Sequence, residues 1–216
     1  VVTELPEGSR TDVTWNGTGS VQTLANWNGA SELPALNGAT SYVTVAENTA
    51  DNSAMHLDRS VWFKGMDVRS VGFQTTADAG CSFWLGSLGL ATPASQTFRI
   101  GAPLMLTAEQ EWAIGSGGQI VVDAAVSSLT ADETRILGTG SVGILELNVA
   151  APHWGAPVVV SNLNVQFNAA HALGPKVAPF ATIYHHATGM SPTYADGVTI
   201  DRNLRFVDTS VVKQGR

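Results

Sequence analysis

The aspartates of this chain stand singly rather than in clusters. The chemistry that two of the chain's carboxylates could share is glycoside hydrolysis, which needs carboxyls about 5 to 10 Å apart across the scissile bond. Asp58 with Asp78, and Asp123 with Glu146, lie about one strand-and-turn repeat apart, so a coiling backbone would bring each pair to that distance. The same acids equally suit solvated turns. His185-His186 is the most conspicuous polar dipeptide. Neighbouring residues of a strand point to opposite faces, so both rings reach one metal only where the backbone is irregular, with His171 and Asp196 or Asp201 as further donors. No Gly-x-Ser-x-Gly elbow occurs, and the glycine runs at Gly115 to Gly118 and Gly138 to Gly143 lack the Gly-Lys-Ser/Thr ending of a phosphate loop. Both runs read as turns. No catalytic residue, metal or cofactor is assigned from these patterns.

Six tryptophans are many for 216 residues. An exposed indole stacks on a sugar face or anchors a protein contact. Trp62, Trp84 and Trp112 fall within alternating apolar segments and read as core or coil-stacking residues. Trp15, Trp27 and Trp154 lie in turn-rich text, where packing within a cap competes with exposed binding. With His185 and His186 they form the candidate binding set.

Composition narrows the partners. Charged residues make up 13% of the chain, about half the roughly 25% of an average globular protein. The net charge of −7 and the lack of a Lys/Arg cluster argue against nucleic acid. Cys81 is the sole cysteine, which excludes an intrachain disulfide, and its setting reads as a small core residue. No apolar run reaches the roughly 18 residues of a membrane-spanning helix, so membrane insertion is not expected. Residues 1–20 carry no basic-then-apolar leader, so export implies a removed signal or another route.

These residues must be positioned by strands, because helical periodicity is nearly absent. The longest candidate helix, Leu106 to Ile114, is broken by polar residues and ended by glycines. Period-two alternation recurs at Tyr42 to Val45, Val61 to Phe63, Val68 to Phe73, Ser82 to Leu85, Phe98 to Ile100, Ile120 to Val122, Ile144 to Val149, Val158 to Val160 and Leu163 to Phe167. Two further strands are expected at Val198 to Ile200 and Leu204 to Val207. Almost none of the connections is a two-residue Asn-Gly or Asp-Gly hairpin. Strand and turn signals return roughly every 20 to 25 residues. Coiling in one direction explains that order, and the expected fold is all-β, a right-handed parallel β-solenoid (β-helix). Residues 1–40 are expected as an irregular N-terminal cap or arm, and 41–216 as the solenoid, with an irregular loop around 171–195.

The segment Pro103 to Ser127 carries an apolar pair (Leu104, Leu106), Gln110 and Trp112, the turn Gly117-Gly118 and an alternating strand (Ile120, Val122). Gly138 and Gly140 then precede Leu145 and Leu147. This order resembles the autotransporter-associated β-strand repeat. Thr14-Trp15-Asn16-Gly17 with Ala25-Asn26-Trp27 is similar to the Trp-Asn and Asn-Trp opening upstream of such repeats, and His171 to Gly174 resembles an Asn-Ala-Leu-Gly step after the coil. Ile136-Leu137-Gly138-Thr139-Gly140 and the text near His153-Trp154-Gly155 depart from the family pattern. The resemblance implies a non-enzymatic, secreted or cell-surface scaffold for adhesion or assembly, with protein or glycan partners. Phage or virus fibres, tailspikes and capsid decorations also use β-helices, often as homo-oligomers, and trimers if viral; that is the alternative reading. A polysaccharide-active β-helix enzyme is the third.

Overall fold

The computed structural model describes residues 10–37, 40–47, 49, 51–140, 143–185, 192–200 and 202–208. Successive coils contribute β1 (Thr11–Trp15) and β2 (Gly19–Ser20), β3 (Ser41–Val45) and β4 (Ala54–Leu57), β5 (Val61–Val68) and β6 (Phe73–Ala77), and β7 (Phe83–Thr92) and β8 (Thr97–Ile100). They continue with β9 (Leu104–Leu106), β10 (Gln110–Ile114) and β11 (Gln119–Val122), then β12 (Val126–Ser128), β13 (Thr134–Gly138) and β14 (Gly143–Leu147). β15 (Val158–Ser161), β16 (Leu163–Phe167), β17 (Ala181–His185), β18 (Thr193–Tyr194) and β19 (Leu204–Asp208) complete the series.

Every ladder between these strands is parallel, as a chain wound in one direction requires, and the result is a β-solenoid of about seven turns. One face, A, runs β1-β3-β5-β7-β10-β13-β15-β17-β19. A second face, B, runs β2-β4-β6-β8-β11-β14-β16-β18. The first halves of β5 and β7 leave face A and pair onward with β9 and β12 as a shorter third face, C. The lone bridge Ser127 to His153 extends it by one coil.

Alternation explains why these stretches are strands. Inward positions stack coil upon coil, so each side chain is covered by its equivalent in the next turn. On face A the column Val43, Met66, Leu90, Trp112, Ile136, Val160 and Ile183 is buried throughout. On face B, Phe73, Phe98, Ile120, Leu145 and Val165 do the same. Where the chain bends from face C to face A, β5 and β7 slip register between Phe63 and Gly65. Gly65 and Gly89 are partners there, and both must lack a side chain. A Cβ on Gly65 would meet the Leu88 Cβ at 2.7 Å, and one on Gly89, whose φ is +59°, would meet the Glu111 carbonyl at 1.9 Å.

Two expected boundaries are corrected. β1 pairs in register with β3, Thr11 to Ser41 through Trp15 to Val45, so the ladder begins well before residue 41. Among the described residues before β3, the longest irregular stretch is 21–37, which holds a 3-10 turn at Leu24–Asn26. Within the expected loop around 171–195, β17 is a regular rung of face A. Val68 to Phe73 is a corner rather than one strand: Ser70 turns inward and is buried, and Gly72 takes a φ of +64°. Val198 to Ile200 packs against the core without joining a ladder.

Candidate functional site

Trp15, Trp27 and Trp154, for which packing within a cap competed with exposed binding, are 0%, 3% and 0% exposed, so their place in the candidate binding set is corrected. The physical reason is packing against other core rings. After β2 the chain folds back across the first coil, with Trp27 bridging antiparallel to Trp15. The two indoles meet edge to face at 5.0 Å, the Trp27 Nε1–H donates to the Val21 carbonyl (2.9 Å), and Trp27 reaches on to Phe63. Turn-rich text here encodes a lid over hydrocarbon, not a surface. Trp154 enters the core beside Trp112, the rings stacked at 6.0 Å and 28°, and the Trp112 Nε1–H is satisfied by the Gln110 side chain (2.9 Å). His185 ends β17, in register with Asp208 of β19. His186 lies outside the described residues.

The proposed carboxylate pairs do fall on neighbouring coils, but each is absorbed into axial hydrogen bonding. Asp123, Asn148 and Asn168 follow β11, β14 and β16. The Asn148 amide donates to Asp123 (2.7 Å) and the Asn168 amide to Asn148 (2.7 Å). Arg99 holds the other oxygen of Asp123, and Gln119 donates to Glu146 (2.8 Å). Hydrogen-bond donors therefore contact both acids. Asp58 accepts from the Ser20 hydroxyl. Burial pushes its carboxyl up, but side-chain hydrogen bonds from Ser20 and Gln22 outweigh that and hold it below the usual value.

Asp78 instead meets His56. The His56 Nε2 lies 3.2 Å from Asp78 Oδ1, and its Nδ1 lies 3.0 Å from the Thr76 hydroxyl. Hydroxyl, imidazole and carboxylate in series is the order of an activated nucleophile. His56 and Asp78 are 37% and 62% exposed, however, so water screens the relay and removes the dry, preorganised setting that gives such groups catalytic force. Among the described residues no group of three His, Cys, Asp or Glu side chains could hold a metal ion. Cys81 is partly buried against the core, in keeping with a packing role.

The first glycine run is a turn; of the second, Gly138 and Gly143 belong to β13 and β14, and 141–142 lie outside the described residues. Gly118 N–H closes onto the Gly115 carbonyl (2.8 Å), and a Cβ on either residue would strike the Pro93 backbone of the preceding coil.

A different group of residues stands outside. On face C, Val61 and Phe63, then Phe83 and Leu85, point inward and are buried. Strand alternation therefore turns Trp62 and Trp84 outward. They are register partners, half-buried, with ring centroids 5.8 Å apart and planes tilted by 51°. Met105 continues the column, which then gives way to Ser127 and the exposed His153. Beside the indoles runs a short hydroxyl rail. Ser60 and Ser82 lie 3.3 Å apart, the Ser82 N–H donates to Ser60 (3.1 Å), and the Trp84 indole donates to the Ser82 hydroxyl (2.7 Å). Where the rail and the indoles meet the first coils, Leu36, Asn37, Ser60, Val61, Trp62 and Trp84 enclose a recess of about 170 Å³.

A larger, open recess of about 500 Å³ lies along Ser87, Glu109, Glu111, Asp132 and Arg135. Arg135 is tied to Glu133 at 2.7 Å. The sequence reading of Trp62 and Trp84 as coil-stacking residues holds for their stacking, but not for their side of the wall. The parity of Val61-Trp62-Phe63 and Phe83-Trp84-Leu85 is the signal that marks them as outward. No protein-family model, curated protein or solved structure matches the chain.

Proposed function

We propose that the chain is a non-enzymatic structural and interaction protein of an extracellular surface, a rigid β-solenoid that presents its outer faces for adhesion or assembly. The observation that carries this reading is how the polar side chains are used. Asp123, Glu146, Asn148 and Asn168 bond to one another or their neighbours along the axis, which stiffens the rod and leaves little for turnover. A pair of outward indoles, Trp62 with Trp84, sits on face C, where the ladder holds it rigidly. Rigid aromatic anchors on a regular scaffold suit binding.

A viral fibre or capsid decoration would share this fold and place copies side by side. The outward apolar column on face C extends only from Trp62 to Met105 before turning polar. That is short for a lengthwise interface, which buries about 1,600 Å². The surface-scaffold reading is therefore preferred.

The test is to apply the folded chain to immobilised glycans, cell surfaces and matrix proteins while assaying acidic and neutral polysaccharides for product. Saturable adhesion without product is expected. Product release that Asp78→Asn or Glu146→Gln abolishes would replace this reading with an enzymatic one.

A further inference from the structure

We infer that the Trp62–Trp84 face and the recess beside it form a binding site for a neutral saccharide, one pyranose ring seated in the recess with its apolar face on indole. The inference rests on the reading of the chain as a binding scaffold and gives that scaffold a ligand class.

Size sets the first limit. Sites for drug-sized molecules run to about 300–1,000 Å³, whereas this recess is about 170 Å³, room for a single ring or a comparably small group. Charge sets the second. None of Leu36, Asn37, Ser60, Val61, Trp62 and Trp84 is charged, so nothing in the lining neutralises a carboxylate, phosphate or ammonium group, and leaving such an ion without a partner is costly. Uronic acids, nucleotides and cationic peptides are disfavoured on that ground.

The pattern of polar atoms sets the third. Two indole rings one coil apart offer an apolar platform, the hydroxyls of Ser60 and Ser82 lie beside it, and Asn37 is in the lining of the recess. A pyranose has the matching anatomy, with a C–H face to lie on the indoles and hydroxyls at its rim for the serines and the amide. A purely aliphatic group would fill the volume and leave the rail unused.

One further atom belongs to this site. The Trp62 Nε1–H is covered and has no hydrogen-bond partner, although the equivalent atom of Trp84 is bonded to Ser82. An unmet buried donor is a penalty on the free protein. A rotamer-scale adjustment of Trp62, of the kind common on binding, would bring that N–H to a sugar hydroxyl and relieve the penalty only in the complex.

The experiment is an array of neutral and uronic-acid oligosaccharides probed with the full chain, followed by titration of the neutral compounds that bind, read by tryptophan fluorescence and calorimetry. Saturable binding of neutral oligosaccharides is expected, weakened at least about tenfold by Trp84→Ala. Trp62→Phe keeps a stacking ring and deletes the unmet donor, so it should weaken binding while leaving thermal stability unchanged or higher, a combination that a purely structural role would not produce. Thermal unfolding of both variants identifies any loss of fold.

An array silent for neutral sugars at about 10 mM, where even a millimolar site is mostly filled, overturns the inference. So does preference for the uronic acids, or neutral-sugar binding indifferent to both substitutions. In the silent case, continued adhesion to cells or matrix proteins leaves the scaffold reading standing. If neutral sugar binds at these tryptophans and is cleaved, the site stands and the non-enzymatic reading falls.

Discussion

Arg202 should be the side chain that holds the C-terminal coils together. It is 2% exposed, and among the described residues no carboxylate pairs with it. Its guanidinium instead donates to four backbone carbonyls: Pro179 (2.7 Å), Ala156 (2.6 Å), Leu173, and Trp154 at the longer 3.4 Å. It thereby joins the loop at 173–179 to the turn at 154–156. Burial lowers its pKa to about 10, so it stays charged near neutrality at a desolvation cost of about 3 kcal/mol.

The perturbation is Arg202→Leu. Three short bonds from a charged donor are worth about 1.5–3 kcal/mol each. Removing the buried charge returns its desolvation cost, which leaves a net loss of about 1.5–6 kcal/mol, a span that contains the roughly 3–5 kcal/mol lost when one side of a buried charged pair is deleted. Because solenoid coils couple mainly to their neighbours, the loss should be local. Hydrogen exchange should accelerate at the Ala151, Gly174 and Ala181 amides, whose backbone bonds lie in these coils, while β3 and β5 keep their protection. Arg202→Lys, with one ammonium for four acceptors, should fall between. A loss below about 1 kcal/mol in guanidinium unfolding, with protection at 151–181 unchanged, would refute this account, since four buried carbonyls cannot lose their donor so cheaply.

Other outcomes follow from the same geometry. Gly89→Ala should lower stability by about 3 kcal/mol or more by thermal unfolding, through positive φ and a clash with the Glu111 carbonyl; Gly19→Ala, at φ +100° with no heavy atom within 4 Å, should cost about 1–2 kcal/mol. Trp112→Ala should cost about 3–5 kcal/mol in chemical denaturation, because it empties a core column and strips Trp154 of its stacking partner. Asp58 has a folded-state pKa below its ordinary 3.8. Its contribution is therefore full above about pH 4 and lost as pH falls through the lower folded value. Stability measured across that range should decline less steeply in Asp58→Asn than in the unaltered chain.

Much of the architecture was legible because strand alternation and glycine-rich corners are local properties. Tyr42 to Val45, Phe98 to Ile100 and Leu163 to Phe167 could be read as strands from their own residues. The scarcity of hairpin turns pointed to one-way coiling. Several rungs escaped notice, β1, β4, β6, β10, β13 and β17 among them, and most have weaker text of their own. Thr11–Trp15 and Ala54–Leu57 mix polar residues into the pattern, and their ladders are held by the neighbouring coil rather than by propensity. Arg202 gave no signal at all, since its partners are backbone carbonyls scattered over 154–179.

By itself, then, the sequence determined the class of structure: strands rather than helices, coiled rather than hairpinned, with low charge and no phosphate-binding text. Only the tertiary structure decided which side of the wall each tryptophan takes. A strand's alternation says that neighbours point to opposite faces without saying which face is the core, and that choice is made by the coils above and below. Val61 and Phe63 stack on Phe83 and Leu85 inside, which leaves Trp62 and Trp84 outside. Trp15, Trp27 and Trp154, for all their turn-rich surroundings, are drawn inward because each packs on core rings: Trp15 and Trp27 on one another, Trp27 on Phe63, and Trp154 on Trp112.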